Sequence, residues 1–316
     1  MQGNPRTLAR TLEPSVADVG AEASDLRDYW VLLKPNVMSL VVFSAAVGLY
    51  LAPGTLHPLM VVTALLCIAA GAGASAAINN GYDHDIDRLM PRTARRPTAV
   101  GRIAPADALG FGVTLAIMSV MVMGLGVNWV AAALLALTIA FYVFVYTMLL
   151  KRRTPQNIVI GGAAGALPPM VGWAAVTGDV GLASLALFAI IFMWTPPHFW
   201  ALSLYRANDY ARAGVPMLPV VAGPESTRRH ILAYALALLP VSLLPVALGF
   251  AGIVYGVIAL AFGGAFVLLA ARLWRDRTQR TATRTFRFSI VYLFAVLAAL
   301  VLDRALSLAN LGGAAW

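Results

Sequence analysis

The segment MVVTALLCIAAGAGASAAINNGYDHDIDRLMPRTARRP, residues 60–97, changes character halfway along. Its first part carries no charge over more than twenty residues. Three carboxylates, Asp83, Asp85 and Asp87, then fall within five residues, and four arginines, Arg88, Arg92, Arg95 and Arg96, within the next nine. About 20 apolar residues cross a bilayer as a helix. The first part therefore reads as a spanning helix, and the second as its charged end.

The apolar pattern recurs along the chain, in which 60% of residues are hydrophobic and only 12% charged. Soluble domains carry about a quarter charged residues, so the class is an all-α integral membrane protein. Candidate spans run over about 37–51 (starting earlier, near Trp30), 60–80, 108–125, 130–150, 157–176, 182–205, 231–250, 254–273 and 288–308, or about nine transmembrane helices. Residues 1–26 are polar and lack the apolar run of a signal peptide, so they read as a disordered cytoplasmic tail. Residues 27–316 then form a single transmembrane domain. The single cysteine, Cys67, lies in an apolar run and reads as a small buried hydrophobe.

The net charge of +9 is explained by topology and not by nucleic acid. The connections 53–57, 126–129, 177–181 and the turn near 250 contain no Lys or Arg, whereas the alternate ones hold nearly all of them. Every Lys or Arg but Arg304 falls on one side, which the positive-inside rule assigns to the cytoplasm. The expected location is a bacterial plasma (inner) membrane, with the N-terminus inside and the C-terminus outside. The two long connections, about 81–107 and 206–229, are both on the cytoplasmic side and hold corresponding places in two halves of the chain.

Asn79, Asp83 and Asp87 are spaced i, i+4, i+8, one face of a helix. Two carboxylates on one stripe repel each other, and a divalent cation removes that penalty. Mg²⁺ favours one or two carboxylates together with substrate phosphates and water. Asp85 lies on another face, where it can pair with Arg88. Arginines bind phosphate in bidentate fashion. An acid stripe beside an arginine cluster at the membrane edge therefore suits a diphosphate with Mg²⁺, its apolar tail reaching between the helices.

These residues resemble the first aspartate-rich motif of the UbiA superfamily of membrane prenyltransferases, N-x-x-x-D-x-x-x-D followed by R-T-x-x-R-P. The match falls on Asn79, Asp83, Asp87, Arg92, Thr93, Arg96 and Pro97. The stretches YTMLLKRRTPQNIVIGGAAGALPPMVGW (146–173), WTPPHFWALSLYRANDYARAGVPMLPVV (194–221) and FRFSIVYLFAVLAALVLDR (286–304) resemble the branch of that family that farnesylates haem b. The resemblance covers about residues 28–308 and implies helices packed around a central cavity. It also implies transfer of the farnesyl group of farnesyl diphosphate to a haem b vinyl group with addition of water, giving haem O. Further partners it implies are haem A synthase and terminal oxidase assembly factors.

On that resemblance, Asn79, Asp83, Asp87 and Asp209 are the metal and catalytic residues. Arg92, Arg96, Lys151 and Arg153 hold the diphosphate. Tyr146 either faces the allylic cation with its ring or serves as an interfacial aromatic anchor. Many superfamily members carry a second D-x-x-x-D; here the position four after Asp209 is Ala213, as in the haem branch, but Asn208 stands where that branch often has an acid. His198, in an apolar helix beside two prolines, either contacts haem or bonds a backbone carbonyl freed by Pro196 or Pro197. His84 reads as a solvated loop residue. Arg206 and Arg212 are candidates for the haem propionates by charge. Two other readings stand beside this one. A quinone or chlorophyll prenyltransferase is disfavoured by AGVPMLPVV and PPHFWAL. A transporter is disfavoured because the charges gather at one edge.

Overall fold

The computed structural model describes residues 24–310. Its helices are α1 (Leu26–Leu32), α2 (Pro35–Leu51), α3 (Pro58–Tyr82), α4 (His84–Leu89), α5 (Pro97–Val100), α6 (Pro105–Gly126) and α7 (Trp129–Ala140). A π-helical segment, Phe141–Leu150, continues α7. Then follow α8 (Asn157–Ala166), α9 (Pro168–Thr177), α10 (Leu182–Tyr205), α11 (Ala207–Arg212), α12 (Leu218–Val221), α13 (Gly223–Val241), α14 (Leu244–Ala247), α15 (Ile253–Asp276) and α16 (Gln279–Asn310). Eight helices in the described residues are long and apolar enough to cross a membrane, or nine if the bent pair α1 and α2 is one span. The expected tail at residues 1–26 and the end of the chain fall mostly outside the described residues.

Proline and polarity set the span edges. Pro35, Pro58, Pro105 and Pro168 stand in the first turns of α2, α3, α6 and α9, where the missing N–H has no helical partner to lose. The span over 157–176 is two helices, divided at Leu167 ahead of Pro168 and Pro169. Two spans begin earlier than hydropathy indicates, at Gly223 instead of about 231 and at Gln279 instead of about 288. Hydropathy marks the part of a helix inside the hydrocarbon, and a helix free of breakers continues past it.

Two apolar cores share α2 and α9. One gathers α2, α9, α10, α13, α15 and α16 around Trp200, Tyr255, Phe266 and Tyr292. The other joins α2, α3, α6, α7 and α9 around Ile68, Met123, Leu135 and Val171. The seam between α2 and α9 depends on small residues. A Cβ at Gly48 would collide with the Pro169 carbonyl, and one at Gly172 with the Ala45 carbonyl. Such close backbone approach is how helices gain packing where lipid removes the hydrophobic drive. At the far end of the bundle, the buried Asp303 accepts hydrogen bonds from the backbone N–H groups of Gly252 (2.6 Å) and Tyr255 (3.1 Å), capping α15.

A third apolar cluster positions the site. It joins Ile86 and Met90, from the first long connection, to Ala213, Val215 and Met217, from the second. Ile158 completes it, with Tyr146, Phe199 and Tyr210 packed against it. The two connections thus lie together over one end of the bundle, and each is structured: α4 and α5 lie in the first, α11 and α12 in the second.

Candidate active site

The acid stripe sits where α3 passes into α4. The backbone N–H of Asp83 bonds the Asn79 carbonyl and that of Asp87 bonds the Asp83 carbonyl, each at 2.9 Å, so the i, i+4 register carries through the junction. Asn79 is 3% exposed, and Asp83 and Asp87 are fully enclosed. Buried carboxylates must find partners, and these do. Asn79 Nδ2 donates to Asp83 Oδ2 at 2.7 Å and to Thr147 Oγ1 at 3.3 Å. Lys151 Nζ donates to Asp83 Oδ2, and Arg152 Nη2 to Asp83 Oδ1 at 3.1 Å. Arg96 Nη1 pairs with Asp87 Oδ2 at 2.7 Å.

The loop after α4 folds back to make this possible. Thr93 Oγ1 donates to the Asp87 carbonyl at 2.9 Å, and the Arg96 carbonyl then receives the N–H groups of Ala99 and Val100. Lys151 and Arg152 follow the π-helical segment, whose wider turn carries the Lys151 N–H to the Tyr146 carbonyl at 2.9 Å. Such segments are common at functional sites. Thr147 and Lys151, one turn apart, both meet the acid stripe.

Sequence reasoning missed two cations. Lys34 Nζ donates to Asn79 Oδ1 at 2.9 Å. It stands at the break between α1 and α2, which meet at 52°, with its backbone in the left-handed region (φ 53°). That conformation costs a non-glycine residue about 1–2 kcal/mol. The turn is secured by Asn80 Nδ2 donating to the Leu32 carbonyl at 3.1 Å, and α1 itself by a 2.9 Å Arg102–Asp28 ion pair. A lysine inside an otherwise uncharged span was the available signal. The second missed cation is Arg152.

Arg152 corrects two expectations. Asp85 does not pair with Arg88; it takes Arg152 through both oxygens at 2.7 Å. That guanidinium holds the Asp85 carboxyl down at about 2. Arg88 Nε instead donates to the Ala99 carbonyl at 2.8 Å. Arg153, expected in the diphosphate cluster, is exposed and has no ion-pair partner among the described residues, and Arg152 takes the inward place. Arg152 also lies over the Tyr82 ring, 5.2 Å from its centroid.

The second connection is arranged differently. Asp209 pairs on its own helix with Arg212 at 2.6 Å and with Arg206 at 3.5 Å. A small cavity brings Asp209, Arg206 and Tyr210 together with Arg92 and Met90 of the first connection. Asp83, Asp87 and Asp209 do not form a single ligand cluster, and no three acidic, His or Cys side chains among the described residues do. Tyr146 packs inward against Gly161, where a Cβ would strike its ring, and joins the cluster that links the two connections. His198 bonds no freed carbonyl. Its Nδ1 lies 2.6 Å from Ser289 Oγ, and its ring stacks between Trp194 (4.3 Å) and Phe286 (4.7 Å). His84 Nδ1 lies 3.0 Å from the Gly81 carbonyl.

Two atoms of this network lack a partner, Arg152 Nε and one carboxylate oxygen. Asp87 Oδ1 is buried and has no hydrogen-bond partner. A carboxylate oxygen seldom remains so in a folded interior, and a hard divalent cation is the kind of partner it lacks. The donor set of Asn79, Asp83 and Asp87, all oxygen, fits Mg²⁺.

The model of the UbiA prenyltransferase family matches residues 41–299. The chain is 58% identical to a protoheme IX farnesyltransferase of Parvibaculum lavamentivorans over 294 residues, 92% of each chain. It is 60% identical to one of Azorhizobium caulinodans over 281 residues, 88% of this chain and 92% of the relative. Among solved structures, a digeranylgeranylglyceryl phosphate synthase superposes with a TM-score of 0.74 at 19% identity, covering 88% of this chain and 98% of that one. A UbiA homologue from Archaeoglobus fulgidus, bound to DMAPP and Mg²⁺, superposes with a TM-score of 0.64 at 17% identity, covering 87% of this chain and 99% of that one. The chain belongs to the UbiA prenyltransferase family, in its protoheme IX farnesyltransferase branch.

Proposed function

We propose that the protein transfers the farnesyl group of farnesyl diphosphate to a vinyl group of haem b, with addition of water, to give haem O and diphosphate. The observation that carries the reading is the buried Asn79–Asp83–Asp87 stripe, ringed by Lys34, Arg96, Lys151 and Arg152, in a chain whose relatives are protoheme IX farnesyltransferases.

The C1–O bond of farnesyl diphosphate breaks heterolytically and diphosphate leaves with the bonding electrons. The vinyl π electrons attack the allylic cation, water adds to the new cation beside the porphyrin, and a proton is lost to solvent. Asp83, Asp87 and Asn79 would hold Mg²⁺, and Asp209, outside that set, would hold a second ion from the second connection. When bound, the metal ion supplies positive charge to the leaving oxygens. Lys151, Arg152, Arg96 and Arg92 stabilise the same negative charge as it builds. Of these, Lys151, Arg152 and Arg96 are held in place before the substrate arrives by their present carboxylate partners. Tyr146 presents a ring beside the cleft to the cationic carbon. The apolar cluster of Ile86, Met90, Val215 and Met217 excludes water until the C–C bond has formed.

The positive-inside asymmetry supports a plasma-membrane protein with this end of the bundle in the cytoplasm. Haem A synthase and terminal oxidase assembly factors are the partners such a product would meet. Membranes containing the protein, given farnesyl diphosphate, Mg²⁺ and haem b, are expected to yield haem O by mass. Prenylation of 4-hydroxybenzoate in place of haem would overturn the assignment.

A further inference from the structure

Some arginines at the site end of the bundle reach a carboxylate and others, Arg88, Arg92, Arg95 and Arg153 among them, reach none in the described residues. Arg96, Arg102, Arg152, Arg206, Arg212, Arg228, Arg229 and Arg277 each reach a carboxylate. Arg272 and Arg275 near the end of α15, and Arg284 near the start of α16, reach none among the described residues. These three line one cleft of about 420 Å³ between the two helices, with Leu269, Asp276 and Thr281. Asp276 forms no ion pair with them among the described residues; its Oδ2 accepts from the hydroxyls of Thr278 (3.0 Å) and Thr281.

Three converging guanidiniums against one occupied carboxylate leave an excess of positive charge in a concave space. Positive-inside topology requires arginines at this end but does not require three of them to share a cleft. The apolar surface runs on from the cleft into the membrane: Leu268, one turn below Arg272, is 64% exposed, and Trp274 is 39% exposed. A guanidinium cluster matches phosphate oxygens in bidentate fashion, and basic pockets between helices at this membrane face take anionic headgroups.

We propose that the cleft between α15 and α16 is a binding site for an anionic phospholipid. Its phosphodiester lies among Arg272, Arg275 and Arg284, and an acyl chain runs along α15 past Leu268. The site is separate from the acid stripe and uses none of its residues.

The test is native mass spectrometry of the purified protein with phosphatidylglycerol, phosphatidylcholine and inorganic phosphate as probes. The wild type is expected to retain phosphatidylglycerol about 10²-fold more strongly than phosphatidylcholine, since each of the three arginines adds about 1 kcal/mol toward anionic lipid. The R272Q/R275Q/R284Q variant should lose that preference and R284Q alone should lose part of it, whereas R229Q/R280Q should keep it. Farnesyl transfer by each variant reports that it is folded. Equal retention of the two lipids by the wild type, or a preference unchanged in the triple variant, would overturn the proposal. Displacement of the lipid by millimolar inorganic phosphate would also overturn it, by showing an anion site with no role for the acyl chain.

Discussion

The two long connections lie against each other over the same end of the bundle, yet they treat their acids in opposite ways. In the first, Asp83 and Asp87 are fully enclosed and are partnered by four cations from three separate places in the chain: Lys34 through Asn79, Arg96, and the adjacent Lys151 and Arg152. In the second, the Asp209 side chain is 17% exposed and pairs only with arginines three residues before and after it, themselves half-exposed or more. Desolvated pairs between distant elements are rigid and costly to break, whereas exposed i, i+3 pairs contribute little. The first connection is thus pre-organised, and the second is free to exchange Arg206 or Arg212 for a substrate.

The largest effect should come from the enclosed side. Asp83→Ala or Asp87→Ala is expected to lower haem O formation by about 10²-fold or more, read by pigment extraction and mass analysis. Asp83→Ala should also lower thermal stability, because Lys151 would be left enclosed without its carboxylate partner. An intermediate effect is expected at the basic triplet. Arg152→Gln should reduce kcat/KM for farnesyl diphosphate by about tenfold, roughly one charge-assisted hydrogen bond, whereas Arg153→Gln should behave as wild type. Equal effects of the two would erase the distinction between inward and outward cations. Asp209→Asn should act mainly on KM and by less than Asp87→Asn; an effect as large would mean that the two connections share the metal equally.

The smallest effect concerns Asp85. Its carboxyl is held at about 2 by Arg152, below the usual 3.8. A depressed carboxylate contributes stability above its unfolded value, and that contribution is lost as the pH falls through the folded one. The Asp85–Arg152 pair should therefore be constant between pH 5 and 8 and weaken only below about pH 4. Asp85 is half-exposed, so Asp85→Asn should shift the melting temperature by no more than about 2–3 °C. A pH-dependent melting temperature between 5 and 8 that Asp85→Asn removes would contradict this.

Much of the fold was legible in the sequence because hydropathy and charge alternation are properties of contiguous segments. The helix starts at Gly223 and Gln279 lie outside the hydropathy signal because their first turns are polar, although Gly223-Pro224 marks the first of them. The acid stripe was legible for the same reason of contiguity: Asn79, Asp83 and Asp87 share a face across the junction of α3 and α4. Lys34 was hidden by 45 residues of separation from Asn79 and by a left-handed turn that no pattern announces. In the run Lys151-Arg152-Arg153 the side chains are chemically alike, and only the end of the π-helical segment decides which two turn inward. For His198, left open between haem and a freed carbonyl, the hydrogen-bond partner Ser289 was hidden by 91 residues of separation.

The central claim is that the enclosed stripe, and not Asp209, is the principal metal and diphosphate site. The most direct measurement is electron paramagnetic resonance of Mn²⁺ titrated, in place of Mg²⁺, into the purified protein with farnesyl diphosphate. Substrate-dependent Mn²⁺ binding should be present in the wild type, retained though weakened in Asp209→Asn, and lost in Asp87→Asn. Binding that survives Asp87→Asn and disappears in Asp209→Asn would contradict the account.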